Sequence, residues 1–482
     1  MIKKSAQIAD QIGEALIEMG WPLGQTVRTE SELMAEYETS RAVVREALSL
    51  VEHRGIANVK TGRGGGLHVA YTRKEAAVNE LSAYMELADC QRDDLVLMTG
   101  AMHAKVAEVA LRECSDETAS RLEALRAMFA LPASDLAESI ESFDQFWIEL
   151  AQLTGNTYFS LLISACQKTL RSIIYFEPRD VASAMEHADR SRAHKLKIID
   201  AMLSWNWPLT SSLIDHDVQQ RLEALKRTRL LAPEQHTNPD ISRLKLSHLT
   251  ALKLARDITE NELEKGHRIG SEEELLKRFG VSRPVLREAL RTLEAYSIVK
   301  MKSGRGGGLS VGQPDPSHTF DWVLKYLNTL PTRMHYHLDF RIALEVQAAE
   351  QAAKRVGRNE TDVAGLYERI EAAQSHISSP HTEAATATTA RIPVEIARVA
   401  GNTVQTFFTG LALANVVSVF RFKSSQEITR VINSYRLVID AIAAGDEGRA
   451  RRQTYQHLRD NYAPYLQVRS EDQIKLKLAQ SA

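Results

Sequence analysis

One stretch of this chain occurs twice. SRAVVREALSLVEHRGIANVKTGRGGGLHV begins at Ser40, and SRPVLREALRTLEAYSIVKMKSGRGGGLSV begins at Ser282. Ser40 and Ser282 are 242 residues apart, as are Gly66 and Gly308, so no insertion interrupts the second copy. A self-match at this distance indicates a duplicated pair of domains, because solenoid repeats recur every ~20 to 50 residues.

Each copy predicts a helix with one apolar face and one arginine-bearing face. Ser40 is a suitable N-cap, since its hydroxyl can accept from the backbone donors of the first turn. Behind it, Arg41, Arg45 and Ser49 recur every four residues and share one helical face. The matching stripe of the second copy consists of Arg283, Arg287 and Arg291. A short helix precedes each stripe, within SELMAEY and EEELLKRF, which completes a helix-turn-helix pattern.

A glycine-rich hairpin follows each of these helices. KTGRGGGLHV and KSGRGGGLSV read as two-stranded wings with Arg63 and Arg305 beside the tip. Arginines on a recognition helix can read guanine edges or grip phosphate, and a wing can reach the neighbouring backbone. A solvated arginine face is the alternative for one isolated helix, but the cap, the wing and the duplication together favour DNA binding.

Composition limits the other possibilities. A net charge of −2 over 482 residues means that any basic surface is local. Three scattered cysteines, Cys90, Cys114 and Cys166, argue against a disulfide framework. No apolar run approaches the length of a membrane span or a secretory signal, so we predict a cytoplasmic protein that does not bind membranes.

The predicted fold class is mainly α, with two winged helix-turn-helix domains that alternate with two all-helical bundles of about six helices each. The predicted boundaries are 1–71 and 242–313 for the winged domains and 75–232 and 316–472 for the bundles. Within the second bundle, the Ser/Thr-rich stretch 375–390 is predicted to be a loop.

Both winged copies resemble the DNA-binding domain of the GntR superfamily of bacterial transcription regulators, over about residues 5–71 and 247–313. The bundles resemble the FadR-type effector-binding domain, FCD, of the same superfamily. Family members usually carry one such pair and act as homodimers, so this chain resembles two members fused in tandem. The family pattern and the arginine stripes imply DNA contacts at Ser40, Arg41, Arg45, Arg63, Gly64, Gly65, Ser282, Arg283, Arg287, Arg291, Arg305, Gly306 and Gly307. The chain departs from the family at Ser31 and Glu273, where many members have a basic residue.

The resemblance also implies a metal site in each bundle, and the ligand positions here are altered. The family's aspartate and histidine positions fall at Phe143 and Trp147, and at Thr389 and Pro393. Phe, Trp and Pro cannot bind a metal, so we predict no metal cofactor, with Asp144 as the one conceivable substitute. The later ligand positions fall at His194 or Lys195 and His216, and at Tyr435 and His457.

An effector can bind without a metal. Arg341 matches a family arginine that often faces the effector cavity, and a guanidinium pairs well with a carboxylate. The second bundle is therefore predicted to bind a small organic acid, with a salt bridge between helices as the alternative role of Arg341. The first bundle has Thr99 at this place, and with Trp147 and Phe143 it is predicted to be apolar-binding or purely structural.

These features together predict a sequence-specific transcription regulator, a metabolite-responsive repressor that binds an approximate inverted repeat as a pseudo-dimer within one chain, with further homodimerisation left open. Arg291 has Ser49 as its counterpart, so the operator is expected to be asymmetric. An enzyme is disfavoured because no nucleophile elbow, Walker loop, Rossmann fingerprint or HExxH motif occurs. A DNA-inactive oligomerisation scaffold and a ligand-binding protein are the competing hypotheses.

Overall fold

A computed structural model describes residues 4–53, 56–60, 66–69, 72–88, 90–112, 115–131, 136–173, 181–227, 246–302, 307–328 and 334–462 of the chain. The first winged unit contains helices α1, α2 and α3 and strands β1 and β2, and helix α4 follows it. Their bounds are Lys4–Glu18, Glu30–Glu36, Arg41–His53, Asn58–Lys60, Gly66–His68 and Arg73–Leu87, in that order.

The first helical block continues with helices α5 to α10. Their bounds are Arg92–Arg112, Asp116–Ala130, Leu136–Leu153, Thr157–Ile173, Val181–Leu203 and Trp207–Arg227.

The second winged unit repeats the first, with the addition of one strand. Its elements α11, β3, α12, α13, β4 and β5, and the helix α14 that follows, have the bounds Leu246–Glu260, Arg268–Gly270, Glu272–Phe279, Arg283–Ala295, Val299–Lys302, Gly308–Val311 and Ser317–Asn328. Helix α11 begins and ends 242 residues after α1, and α13 does so relative to α3. The duplication seen in the sequence is therefore a duplication of structure.

The second helical block contains helices α15 to α20. Their bounds are Met334–Gly357, Ala364–Gln374, Glu383–Ala400, Thr403–Val419, Ser425–Ala443 and 447–462. The predicted fold class, mainly α with strands at the wings, is confirmed. None of the described helices is long and apolar enough to cross a membrane.

The predicted loop over residues 375–390 is wrong in its second half, where α17 begins at Glu383. Thr382 caps this helix by accepting a hydrogen bond from the Ala385 amide at 3.1 Å. Thr389 donates to the Ala385 carbonyl at 2.8 Å, and Ile392 is buried in the block's core. The Thr389 hydroxyl is thus satisfied within the helix, and the cap at Thr382 and the burial of Ile392 offset the low helix propensity of threonine.

The wings are small antiparallel sheets. In the first, Asn58 pairs with His68 and Lys60 with Gly66, and Thr26 forms an isolated bridge to His68. In the second, β5 lies between β3 and β4, with Val299 opposite Val311.

The chain divides into two compact bodies. The winged body comprises Met1–Cys90, Ser164–Asp180 and Thr228–Thr329, and the helical body comprises Gln91–Ile163, Val181–Arg227 and Leu330–Ala482. Both winged units and the helices α4 and α14 thus belong to one body, while α15 to α20 and most of the first helical block belong to the other. Residues 70, 71 and 228–245 lie outside the described residues.

Candidate functional site

The first helix of each helix-turn-helix is fixed by a capping box. The Thr29 hydroxyl accepts from the Glu32 amide at 3.2 Å, and the Glu32 carboxylate accepts from the Thr29 amide at 2.7 Å. This hydrogen bonding from Thr29 lowers the pKa of Glu32. Ser271 and Glu274 repeat the same pair of bonds in the second unit. Reciprocal bonds of this kind satisfy backbone donors at a helix start, so the first helical residue of each has a defined position.

That first residue is a glutamate, and it binds the predicted DNA-reading arginines. The Glu30 Oε1 atom lies 2.9 Å from Arg41 Nε and 3.0 Å from Arg45 Nε. Both arginine side chains remain more than 60% exposed. The arginine face of α3 therefore points to solvent, with its two guanidinium groups held beside each other by one carboxylate.

The second unit repeats this arrangement 242 residues later. Glu272 Oε1 lies 3.3 Å from Arg283 Nε and 3.0 Å from Arg287 Nε, and these side chains are 65% and 56% exposed. Ser40 and Ser282 stand directly before α3 and α13 and are exposed. Ser282 has extended backbone geometry, as an N-cap residue should, but its hydroxyl makes no capping hydrogen bond.

The sequence interpretation missed Glu30 and Glu272. Both occupy the same place in the repeat, one residue before the positions Ser31 and Glu273 that depart from the family pattern. Comparison of the two copies alone could have singled them out, since an acidic residue retained beside a DNA-reading surface requires a structural reason.

The wings are hydrogen-bonded to the C-terminal ends of α3 and α13, which we call the reading helices because they carry the predicted DNA-contacting arginines. Glu52 near the end of α3 accepts a hydrogen bond from the Val59 amide at 2.8 Å, and Glu294 accepts from the Met301 amide at 3.0 Å. A Cβ at Gly66 would lie 2.3 Å from the Arg28 carbonyl oxygen, so only glycine permits the close approach of β2 to that backbone. Gly307 is half-buried before β5. The predicted contacts Arg63, Gly64, Gly65, Arg305 and Gly306 lie outside the described residues.

The two reading helices contact each other within the winged body. Arg291 Nε lies 3.6 Å from Glu46 Oε1, and the Ser49 hydroxyl lies 3.4 Å from Glu288 Oε1. Glu46 is the counterpart of Glu288, and Ser49 is the counterpart of Arg291, so the two contacts are mates under an approximate twofold relation. Arg291 is 43% exposed, which is less than the exposure of the four arginines that pair with Glu30 or Glu272.

In the second helical block, Arg341 is buried, and only some of its hydrogen-bond donors have an acceptor among the described residues. Its Nε donates to Glu345 Oε1 at 2.5 Å, and its guanidinium carbon lies 4.1 Å from the centre of the Tyr462 ring. Although burial acts in the opposite direction, Glu345 raises the pKa of Arg341 well above its ordinary value, so the guanidinium is charged. The predicted alternative of a salt bridge between helices is wrong, because Glu345 lies on the same helix, α15.

Several hydrogen-bonding groups near Arg341 are unsatisfied. Within the described residues, neither terminal nitrogen of Arg341, nor Oε2 of Glu345, nor Nε2 of His457 has a hydrogen-bond partner. The His457 ring lies 3.8 Å from that of Tyr435, and its Nδ1 is 2.5 Å from the Ser434 hydroxyl. Burial raises the pKa of Tyr435, and the Arg341 guanidinium opposes this rise. Buried polar groups are normally paired, so this cluster has the hydrogen-bonding capacity to take a ligand.

In the first block, the positions that correspond to Arg341 and to the family's ligand residues hold mainly aromatic side chains and histidines. Trp147 is buried and stacks on His103, with ring centroids 3.5 Å apart. The His194 and His216 rings are 5.2 Å apart, and His194 Nε2 contacts the Leu213 carbonyl at 2.7 Å. Thr99, the counterpart of Arg341, donates to the Leu95 carbonyl. Phe143 lies on α7, and its side chain is outside the described part of the chain.

Metal-ligating side chains do not cluster in the described parts of either block, where no group of three or more His, Cys, Asp or Glu residues could hold an ion. Thr389 donates to the backbone of its own helix, and Pro393 is buried inside that helix. The first block carries a buried Lys195 instead, whose pKa is lowered by burial to about 7.

Two winged helix-turn-helix units with exposed arginine faces define a DNA-binding transcription regulator. Residues 4–66 and 247–308 both match the family described as bacterial regulatory proteins, gntR family, and residues 337–460 match the FCD domain. The chain therefore contains two copies of the DNA-binding domain of this family and one FCD domain.

Two bacterial regulators match less than half of this chain but most of their own length. A putative L-lactate dehydrogenase operon regulatory protein of Escherichia coli strain K12 is 29% identical over 224 residues, which span 44% of this chain and 84% of that protein. The HTH-type transcriptional repressor NanR of Cronobacter sakazakii is 23% identical over 42% of this chain and 76% of that protein. Among solved structures, a Streptococcus agalactiae GntR protein is similar with a TM-score of 0.36 and 18% identity, over 44% of this chain and 96% of that one.

Proposed function

We propose that this chain is a cytoplasmic, non-catalytic repressor that binds both half-sites of an approximate inverted repeat with its own two reading helices. The contact between α3 and α13 carries the proposal. Glu46–Arg291 and Ser49–Glu288 hold the helices side by side in one body, with arginine pairs exposed on both. Relatives are named as operon regulators and repressors, which supports the same role here.

Linkage within one chain raises the effective concentration of the second reading helix once the first has bound. A single chain therefore does what two chains do in single-copy regulators. The two reading helices are not identical, since Arg291, which lies beside Glu46 and is 43% exposed, corresponds to Ser49 in the other helix. We accordingly propose an asymmetric operator.

Selection of bound duplexes from random DNA supplies the operator, and fluorescence anisotropy then measures affinity across a range of salt concentrations. The double variants Arg41→Ala/Arg45→Ala and Arg283→Ala/Arg287→Ala should each weaken operator binding by about tenfold or more, because each lost base contact costs ~1–3 kcal/mol. The matched control is Arg190→Ala/Arg358→Ala, which removes two exposed arginines of the helical body. Equal loss in all three variants would refute the assignment, as would a loss confined to one reading helix.

For the effector, we propose that the second helical block binds a small organic acid whose carboxylate pairs with Arg341. The two unpaired terminal nitrogens of a buried, charged guanidinium support this role, since a bidentate carboxylate satisfies both. Tyr435 and His457 lie beside it and offer further hydrogen-bonding groups. For the first block, where Trp147 stacks on His103, we propose a structural role.

A panel of small mono-, di- and hydroxycarboxylates can be screened by thermal shift of the full chain. Saturation at 100 times the dissociation constant stabilises a protein by ~2.7 kcal/mol. Arg341→Lys keeps the charge beside Glu345 but removes the two-pronged donor, so it should abolish the shift given by the best carboxylate. Arg421→Lys, on the exposed pair with Glu383 in the same block, is the control. A carboxylate that stabilises the wild type and Arg341→Lys equally would exclude Arg341 from the site.

A further inference from the structure

The helices that follow the two wings, α4 and α14, are each packed on the opposite winged unit. We propose that this packing is selective. The first winged unit accepts α14 of the second unit but not α4 of another first unit, and the second winged unit accepts α4 but not α14 of another second unit. A first and a second unit are therefore called unlike units here, and two copies of the same unit are called like units. The inference goes beyond DNA recognition, and its main test measures stability, so it can fail without the proposed function failing.

Trp322 of α14 belongs to the hydrophobic core of the first winged unit. It is 5% exposed and lies in one cluster with Ile8, Ile12 and Leu16 of α1. Its ring centroid is 6.2 Å from that of Trp21. A large aromatic side chain from the second copy therefore completes the core of the first.

The place for this ring exists because α1 carries Gly13. A Cβ built at Gly13 would lie 2.2 Å from one ring carbon of Trp322 and 2.7 Å from another. The residue at the corresponding place of α11 is Ala255, 242 positions later. If two second units were paired in this way, the Ala255 methyl would occupy the volume of the Trp322 ring.

The reciprocal contact is polar. The counterpart of Trp322 is Glu80 on α4, which is fully buried. The Thr319 hydroxyl donates to Glu80 at 2.8 Å, and the Tyr296 hydroxyl lies 3.4 Å from its other oxygen. If two first units were paired, Glu80 would take the place of Trp322 beside Gly13 and Ile12, and Ala77 would stand where Thr319 donates its hydrogen bond.

The charges at the edge of the contact between α1 and α14 also disfavour a pair of like units. Lys325 of α14 forms an ion pair with Glu14 of α1, and His318 Nε2 lies 3.3 Å from Asp10 Oδ1. The counterpart of Glu14 is Arg256, so two paired second units would set Lys325 against an arginine. Shape, burial and charge thus each favour the unlike pair, which is how paired surfaces achieve specificity.

A double-mutant cycle in the full chain tests the fit of the ring. Alanine has the higher helix propensity, so propensity alone predicts that Gly13→Ala raises the midpoint of thermal unfolding by ~2 °C. The fit to Trp322 predicts the opposite, a fall of ~5 °C, because overpacking a core is destabilising. In the Trp322→Leu background, Gly13→Ala should recover its stabilising sign. Ala255→Gly is the matched control and should show no coupling to Trp322→Leu.

The cycle remains decisive even if Gly13→Ala alone does not fold, since folding of Gly13→Ala/Trp322→Leu would then support the proposal. A rise in the midpoint for Gly13→Ala in both backgrounds would overturn it, and so would failure of the combined variant to fold.

Cross-linking tests whether the unlike partner is in the same chain. In Glu14→Cys/Lys325→Cys, a short bis-maleimide should join the two cysteines within one chain, giving a product of monomer mass on a denaturing gel. The single variants should give none. A covalent dimer of chains from Arg256→Cys/Lys325→Cys, the two positions that paired second units would bring together, would show that like units pair and would overturn the proposal.

Discussion

We expect Glu30 to compete with DNA for Arg41 and Arg45, the arginines proposed to read it, so its removal should give a measurable change. One carboxylate oxygen of Glu30 lies within 3.0 Å of both Arg41 and Arg45. Both arginines must give up some of this interaction when they turn to phosphate or base edges. Glu30→Gln retains the size of the side chain and its place at the start of α2, while it removes the charge.

The size of the effect follows from the two pairs. An exposed ion pair contributes ~0.2–1 kcal/mol, so the release of both corresponds to ~0.4–2 kcal/mol. Binding to a duplex of unrelated sequence should therefore tighten by about 2- to 30-fold at 25 °C. Because one more net positive charge faces the phosphates, the slope of log K against log salt should steepen by ~0.9.

Fluorescence anisotropy with a labelled non-operator duplex, at several salt concentrations, measures both quantities. Glu383→Gln is a matched control, since Glu383 is also the first residue of a helix and pairs with Arg421 at 3.0 Å, in the second helical block. Glu272→Gln should behave like Glu30→Gln. If Glu30→Gln binds non-operator DNA no more tightly than the control does, the carboxylate does not compete with DNA and the reasoning is refuted.

Two further changes test other parts of the structure. Burial lowers the pKa of Lys195 to about 7, so between about pH 7 and 10 the unfolded chain holds a proton that the folded chain has lost, and stability should rise with pH across this window. Urea unfolding at a series of pH values should show that Lys195→Met removes a rise on the order of 1 kcal/mol per pH unit, and an unchanged profile would contradict the buried position of the amine. Glu294→Ala removes the acceptor of the Met301 amide, and a loss of ~1 kcal/mol in wing anchoring should weaken operator binding about fivefold in anisotropy measurements. Unaltered affinity would show that the wing does not depend on this bond.

The sequence predicts the elements whose signals are local. The reading helices, their exposed arginines and the strands of the wings follow from periodicity and turn residues over about 30 positions, and the duplication repeats each signal. Arg341 also stands out from the sequence through the family resemblance, although its charge partner four residues along the same helix went unnoticed.

What the sequence does not predict depends on distant contacts. Glu30 reaches Arg41 and Arg45 only because α2 and α3 cross, and Trp322 reaches Gly13 across more than 300 residues of chain. The start of α17 was missed for another reason, since Thr386 and Thr389 make their hydrogen bonds to backbone carbonyls, which composition does not reveal.

The central claim is that one chain presents two reading helices to one operator. Sedimentation equilibrium of the chain with the selected operator duplex tests it most directly. The predicted result is a complex of one 53.9 kDa chain with one duplex, at protein concentrations where binding is saturated. A complex that requires two chains for each operator, with no one-chain species at lower protein concentration, would contradict the account.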